Sequence, residues 1–114
     1  MLAEQRRFNP LSFFNGGLSK HPHIEKRHKG GEDAAVNEPH IISVCDGVGG
    51  WSRWGVDPAK YSNELASHIS EVHREKTEED PNTFCDPKGI MLEAAYRSRH
   101  VTGSSTCVMA VVDP

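Results

Sequence analysis

The sequence is short of the features that classify a chain fastest. No stretch approaches the ~20 consecutive apolar residues of a membrane-spanning helix. Apolar residues make up 36% of 114 and aromatics 7%, below the ~45–50% apolar content of an average soluble domain. That is thin for a large core and too rich for a disordered acidic tail. A basic excess is missing as well: 13 Lys and Arg against 16 Asp and Glu give a net charge of -3 and a pI of about 6.1. A strongly basic nucleic-acid binder is thereby excluded. Cysteine is scarce and odd in number, with Cys45, Cys85 and Cys107 in no Cys-x-x-Cys spacing, which argues against a disulfide framework and a zinc ribbon. These cysteines read as buried, reduced thiols in an intracellular protein. Met1 to Phe8 has no apolar core of the length a secretory signal needs.

What is present is unevenly distributed. Residues 1–29 hold six Lys and Arg against two acids, and the remainder holds seven against fourteen. Residues 1–10 read as a leader, and 11–114 as one unit. Leu11 to Ser19 reads as a first strand bending at Gly16-Gly17, followed by a polar loop over 20–31. Glu32 to Val36 starts a second strand, Asn37 to Pro39 a turn, and His40 to Cys45 a buried strand rich in β-branched residues. Asp57-Pro58 and Asp86-Pro87 each pair an N-cap aspartate with proline at the first helical position. Tyr61, Leu65, Ile69 and Val72 then share one face of a helix over 58–76. Thr77 to Asn82 reads as an acidic loop. Ile90, Met91, Ala94 and Ala95 give a second helix that runs to about Arg99. Thr102 to Thr106 reads as a loop and Cys107 to Val112 as another buried strand. Strands mixed with helices in this order predict an α+β domain.

Glycines bracket three acids: Glu32 and Asp33 follow Gly30-Gly31, and Asp46 precedes Gly47. If strands 32–36 and 41–45 pair antiparallel, these acids converge at one end of the sheet. A hard divalent cation takes such oxygen ligands from carboxylates, backbone carbonyls and water. An ionised Asp46 at the end of a buried strand is costly unless paired or bound to a cation. The plainer alternative is that Asp-Gly is a turn and Glu32-Asp33 a solvated strand end. The seven histidines show no i,i+4 pair, since His68 and His73 are five apart. No Gly-Lys-Ser/Thr follows the glycines, and no Gly-x-Ser-x-Gly elbow surrounds Ser104, Ser105 or Thr106. Trp51 and Trp54 flank Arg53 and read as anchors packed under the glycine loop.

Four strings occur in order: GGEDAA (30–35), VCDGVGGW (44–51), GVDPAKYS (55–62) and GSSTCVMAVVD (103–113). Together they resemble the metal-dependent protein phosphatases of the type 2C (PPM) family. The segment PHIEKRHKGGEDA (22–34) resembles the eukaryotic branch with mitochondrial and plastid members. The resemblance implies a β-sandwich flanked by helices in α-β-β-α layers, present here in part as the N-terminal portion of the domain. It implies a site for two Mg²⁺ or Mn²⁺ ions, a phosphoprotein substrate, no nucleic acid and a monomer when complete. Asp46 matches the aspartate that bridges both metals, Gly47 the residue that lends a backbone carbonyl, and Glu32 and Asp33 the acids that hold metal-bound water. Lys26 is the candidate for contact with the substrate phosphate, with Arg27 and Lys29 as rivals. Ser105 and Thr106 match a small hydroxyl motif behind the site. Val48 stands where many members carry a histidine. The later motifs that complete the family's metal set, a Gly-Asp-Ser and two further aspartates, are not among these residues. The implied activity is phosphoprotein serine/threonine phosphatase; the alternative is a non-catalytic, phosphatase-like segment that binds a partner.

Overall fold

The computed structural model describes residues 13–22, 24 and 31–112. The elements follow in the order β1 (Asp33–Glu38), β2 (Ile41–Gly47), a 3₁₀ helix (Gly49–Trp54), α1 (Pro58–Glu79), α2 (Pro87–Arg97) and β3 (Ser105–Val111). The strands form one antiparallel sheet in the order β1-β2-β3, with β2 in the centre. The architecture is therefore mixed α+β, as the element pattern predicts.

The periodicities explain the layering. Ile41, Ser43, Cys45 and Gly47 of β2 are buried while Val44 and Asp46 are exposed, the alternation of a strand with one covered face. Helix α1 lies against that face and buries Leu65, Ala66, Ile69, Val72 and His73. Ile90 and Ala94 of α2 complete the core. Ile41, Ile69 and Ile90 are wholly inaccessible, and each contributes about 1.5–3 kcal/mol through burial. Both helices start as the sequence predicts: Asp57 Oδ1 accepts from the Ala59 N–H at 3.0 Å and Asp86 Oδ1 from the Lys88 N–H at 3.1 Å. Arg97 joins the helices, with Nη1 at 2.6 Å from Glu71 and 2.7 Å from Glu75.

Several boundaries differ from the sequence reading. Residues 13–19 form no strand; the Phe14 N–H donates to the Pro39 carbonyl at 2.7 Å and Asn37 Nδ2 to the Gly16 carbonyl at 3.3 Å. Leu11 and much of the 20–31 loop lie outside the described residues. β1 continues to Glu38, so the turn falls at Pro39-His40. α1 runs three residues past the predicted end: Thr77, Glu78 and Glu79 contain no breaker, and the helix stops at Asp80, before Pro81. α2 ends at Arg97, where Ser98 caps it, its Oγ donating to the Ala94 carbonyl at 2.8 Å. β3 begins at Ser105, within the predicted loop. Neither β2 nor β3 is buried on both faces, since Val44 is 55% and Val108 76% exposed.

His73 sits inside the α1 face. Burial pushes its pKa below the ordinary histidine value, His40 adds to the lowering and Glu38 opposes it. The folded chain therefore takes up this proton at lower pH than the unfolded chain does. The stability involved is fully present above about pH 6.5 and is lost as pH falls through the lowered value. Urea midpoints measured across that window are expected to fall with acidification, and to fall less in His73→Leu. An equal fall in the variant would show that His73 does not set the slope.

Candidate metal centre

The first site residue owes its place to the register. Asp33 pairs with Asp46 directly across β1 and β2, and Asp46 pairs with Thr106 across β2 and β3. Residues directly opposite point to the same side of a sheet. Both aspartates are exposed, on the face away from the helices. Asp46 is thus at the strand end, as the sequence reading has it, but solvated rather than buried. Burial raises the Asp33 carboxyl above its ordinary range; the hydrogen bond to Asp46 and the charge of Asp46 raise it further, with Glu32 adding to the effect and Lys20 opposing it. Like charges directly opposite on a sheet are destabilising, so this pair favours a retained proton or a nearby positive charge.

Glu32, the residue before β1, shows its backbone role more clearly than its side chain. Its carbonyl accepts from the Gly47 N–H at 3.1 Å and from Ser62 Oγ at 2.6 Å. Gly47 is glycine for a spatial reason. A Cβ there would come within 2.6 Å of the Pro58 carbonyl oxygen and closer still to that of Glu32. The end of β2 is thereby pressed against the start of β1 and the first turn of α1. Among the described residues no group of three or more His, Cys, Asp or Glu side chains is gathered to hold a metal ion. The structure brings Asp33 and Asp46 together, with Glu32 beside Asp33 in sequence and near enough to act on its charge. Lys26 and its rivals Arg27 and Lys29 lie outside the described residues.

The loop after Asp46 is not an irregular glycine run but a 3₁₀ helix, unforeseen in the sequence. It is tied to the start of β3 at two points: Trp51 Nε1 donates to Ser104 Oγ at 2.8 Å, and the Val48 N–H to the Ser104 carbonyl at 3.1 Å. Ser105 Oγ donates to the Asp46 carbonyl at 3.1 Å. Of the two tryptophans only Trp51 is an anchor; Trp54 is 77% exposed. Gly103 just before β3 has φ 143°, and a Cβ there would stand 2.7 Å from Tyr61 Cβ. Lys20 is the residue that sequence reasoning missed. It lines a cleft of about 310 Å³ with Leu18, His21, Asp33 and Val44. No pattern links it to Asp33, because the intervening segment has neither helical nor strand period.

The donor chemistry fits a hard divalent cation in part. Two facing carboxylates, with Asp33 held above its ordinary range, offer the carboxylate oxygens that such an ion prefers. They are fewer than the six or so oxygens a divalent ion of this class collects.

No family model matches the chain. Individual proteins do. A probable protein phosphatase 2C 26 of Arabidopsis thaliana is 32% identical over 114 residues, which cover 97% of this chain and 36% of that protein. A probable protein phosphatase 2C 55 of the same plant is 37% identical over 107 residues, 91% of this chain and 22% of that protein. The protein phosphatase PTC7 homolog of Danio rerio is 32% identical over 91 residues, 73% of this chain and 29% of that protein. The chain thus spans about a third or less of the curated relatives it matches. Among solved structures, that of the photosystem II phosphatase PBCP superposes with a TM-score of 0.61 at 32% identity, over 81% of this chain and 35% of that one.

Two substitutions test the local physics. Asp33→Asn removes one of two facing charges and is expected to stabilise the metal-free chain by about 0.2–1 kcal/mol near pH 7. The sign follows from the raised Asp33 pKa: its contribution is intact below about pH 4 and is lost as pH rises through the raised value. Chemical denaturation showing a less stable variant would contradict this. Gly47→Ala is expected to cost at least about 1–3 kcal/mol, read as a lower denaturation midpoint, because two backbone carbonyls cannot step aside as a side chain would.

Proposed function

Because the chain belongs to the protein phosphatase 2C family, we propose that it carries part of the catalytic site of a metal-dependent protein serine/threonine phosphatase. The observation that supports this reading is the placement of Asp33 opposite Asp46 at the end of β2. In this proposal Asp46 would be a ligand of Mg²⁺ or Mn²⁺. Gly47, through its carbonyl oxygen, and Glu32 and Asp33, through their carboxylates, would complete this chain's share of the ligands. When bound, the cations acidify water and neutralise phosphoryl charge.

The chain's own residues do the positioning. Gly47 and Ser62 lock the Glu32 carbonyl, which fixes the two acids after Gly31 relative to Asp46. Ser105 holds the Asp46 carbonyl, and Trp51 with Ser104 holds the turn that follows. Lys26 contacts the substrate phosphate. Lys20, already beside Asp33, offers a second positive charge on the same approach. Val48 cannot donate a proton, so the leaving group takes its proton from water or another residue. The substrate class is a phosphoprotein. No helix among the described residues is long and apolar enough to cross a membrane. The compartment proposed is intracellular, a mitochondrion or plastid by the resemblance and otherwise the cytoplasm, with the complete protein a monomer.

The second reading, a non-catalytic segment that binds a partner, draws on the finding that, among the described residues, no group of three ligating side chains is gathered to hold a metal ion. Calorimetric titration with Mn²⁺ and hydrolysis of a phosphothreonine peptide separate the two. A protein that contains this segment is expected to hydrolyse the peptide only with Mn²⁺ or Mg²⁺. Asp46→Asn should lower that turnover by at least about a hundredfold while the circular dichroism spectrum stays unchanged. The 114-residue chain by itself should turn over little. Undiminished turnover in a folded Asp46→Asn protein would overturn the ligand role of Asp46. Absence of both turnover and Mn²⁺ binding in the parent would favour the binding segment.

A further inference from the structure

Cys45 and Cys107 are partners in the register of β2 and β3. The backbone bonds show which kind of partners they are. The Val48 N–H bonds to the Ser104 carbonyl and the Val112 N–H to the His40 carbonyl, so the even-numbered residues of β2 exchange hydrogen bonds with β3. Gly47, by contrast, sends its N–H to Glu32 on the β1 side. Cys45 and Cys107 therefore form a non-hydrogen-bonded pair, the kind in which Cα atoms approach to about 4.5 Å and side chains come closest. That separation falls at the short end of the ~4.4–6.8 Å range spanned by disulfides. Ser43 Oγ lies 3.3 Å from Cys107 Sγ and 4.0 Å from Cys45 Sγ, which puts both sulfurs around one hydroxyl.

We propose that Cys45 and Cys107 are a modification site: a dithiol that a peroxide converts to a cross-strand disulfide and a reductant restores. Accessibility sets the order of events. Cys45 is wholly inaccessible and Cys107 only half-buried. The Cys107 sulfur attacks the peroxide oxygen, the O–O bond breaks, and Cys107 becomes a sulfenic acid with release of water or alcohol. The Cys45 sulfur then attacks the Cys107 sulfur, the S–O bond breaks, and a second water leaves. Two thiols have lost two hydrogens and the peroxide has gained two. Short cross-strand disulfides are strained and are reduced readily, so the bond is reversible. The third thiol, Cys85, precedes α2 and pairs with neither in the sheet. The crosslink would join the residue before Asp46 to the residue after Thr106, at the end of the sheet that carries the acids.

The folded chain is treated with hydrogen peroxide, and free thiols are counted after unfolding. The count is expected to fall from three to one, with a peptide linking the Cys45 and Cys107 segments in a non-reducing digest, and to return to three with dithiothreitol. Cys85→Ser should fall from two to none. Cys107→Ser, a change at a half-buried position already beside Ser43, should keep two thiols. Crosslinks through Cys85, crosslinks between chains, or oxidation of Cys107 without a bond to Cys45 in the Cys85→Ser protein would each overturn the proposal.

Discussion

One carbonyl oxygen, that of Glu32, holds three parts of the chain at a single point. The Gly47 N–H reaches it from the end of β2, and the Ser62 hydroxyl reaches it from α1. The approach is so close that no side chain fits at residue 47. This contact joins the first turns of α1 to the sheet, beside the apolar face of α1 that covers the odd-numbered face of β2. It also fixes the register of β1 on β2 at the end where Asp33 and Asp46 face each other. A one-residue slip would send Asp46 to the helix side and Cys45 to solvent, because side chains alternate along a strand. Core and acidic pair thus depend on the same lock.

Much of this was legible beforehand, for identifiable reasons. The helix starts were readable because Asp57-Pro58 and Asp86-Pro87 act through their own backbone and need no partner. The antiparallel pairing of β1 with β2 was readable because a short turn joins them. The placement of Asp33 beside Asp46 then followed from counting. The features that the sequence does not disclose depend on contacts distant along the chain. Of the strand expected over Leu11–Ser19, the described residues 13–19 form no ladder with the sheet, although Gly16, Gly17 and Leu18 lie against its Val44–Val108 face. The 3₁₀ helix after Asp46 is held by Ser104, fifty-three residues away from Trp51. Lys20 meets Asp33 only through the path of an irregular segment. The apolar runs of β2 and β3 looked doubly buried because composition says nothing about how many faces are covered.

The uncovered face is the more informative one. Reading across the sheet, Asp33, Asp46 and Thr106 form one row, Ala35, Val44 and Val108 the next, and Asn37, Ile42 and Ala110 a third. A polar, acidic margin therefore borders an apolar field, with Val44 and Val108 mostly exposed. The two-sheet sandwich implied by the resemblance accounts for that field: a second sheet laid on it would bury these side chains at the usual spacing of about 10 Å. Such a layer would also act on the acids beside it. Repulsion between like charges strengthens as water is displaced and the effective dielectric falls, and Asp33 already feels both burial and the charge of Asp46. Covering the apolar rows would stabilise the fold while making the facing carboxylates harder to keep ionised without a cation. The apolar rows and the acidic edge are thus linked through the local dielectric: each added area of covered sheet makes the Asp33–Asp46 repulsion stronger.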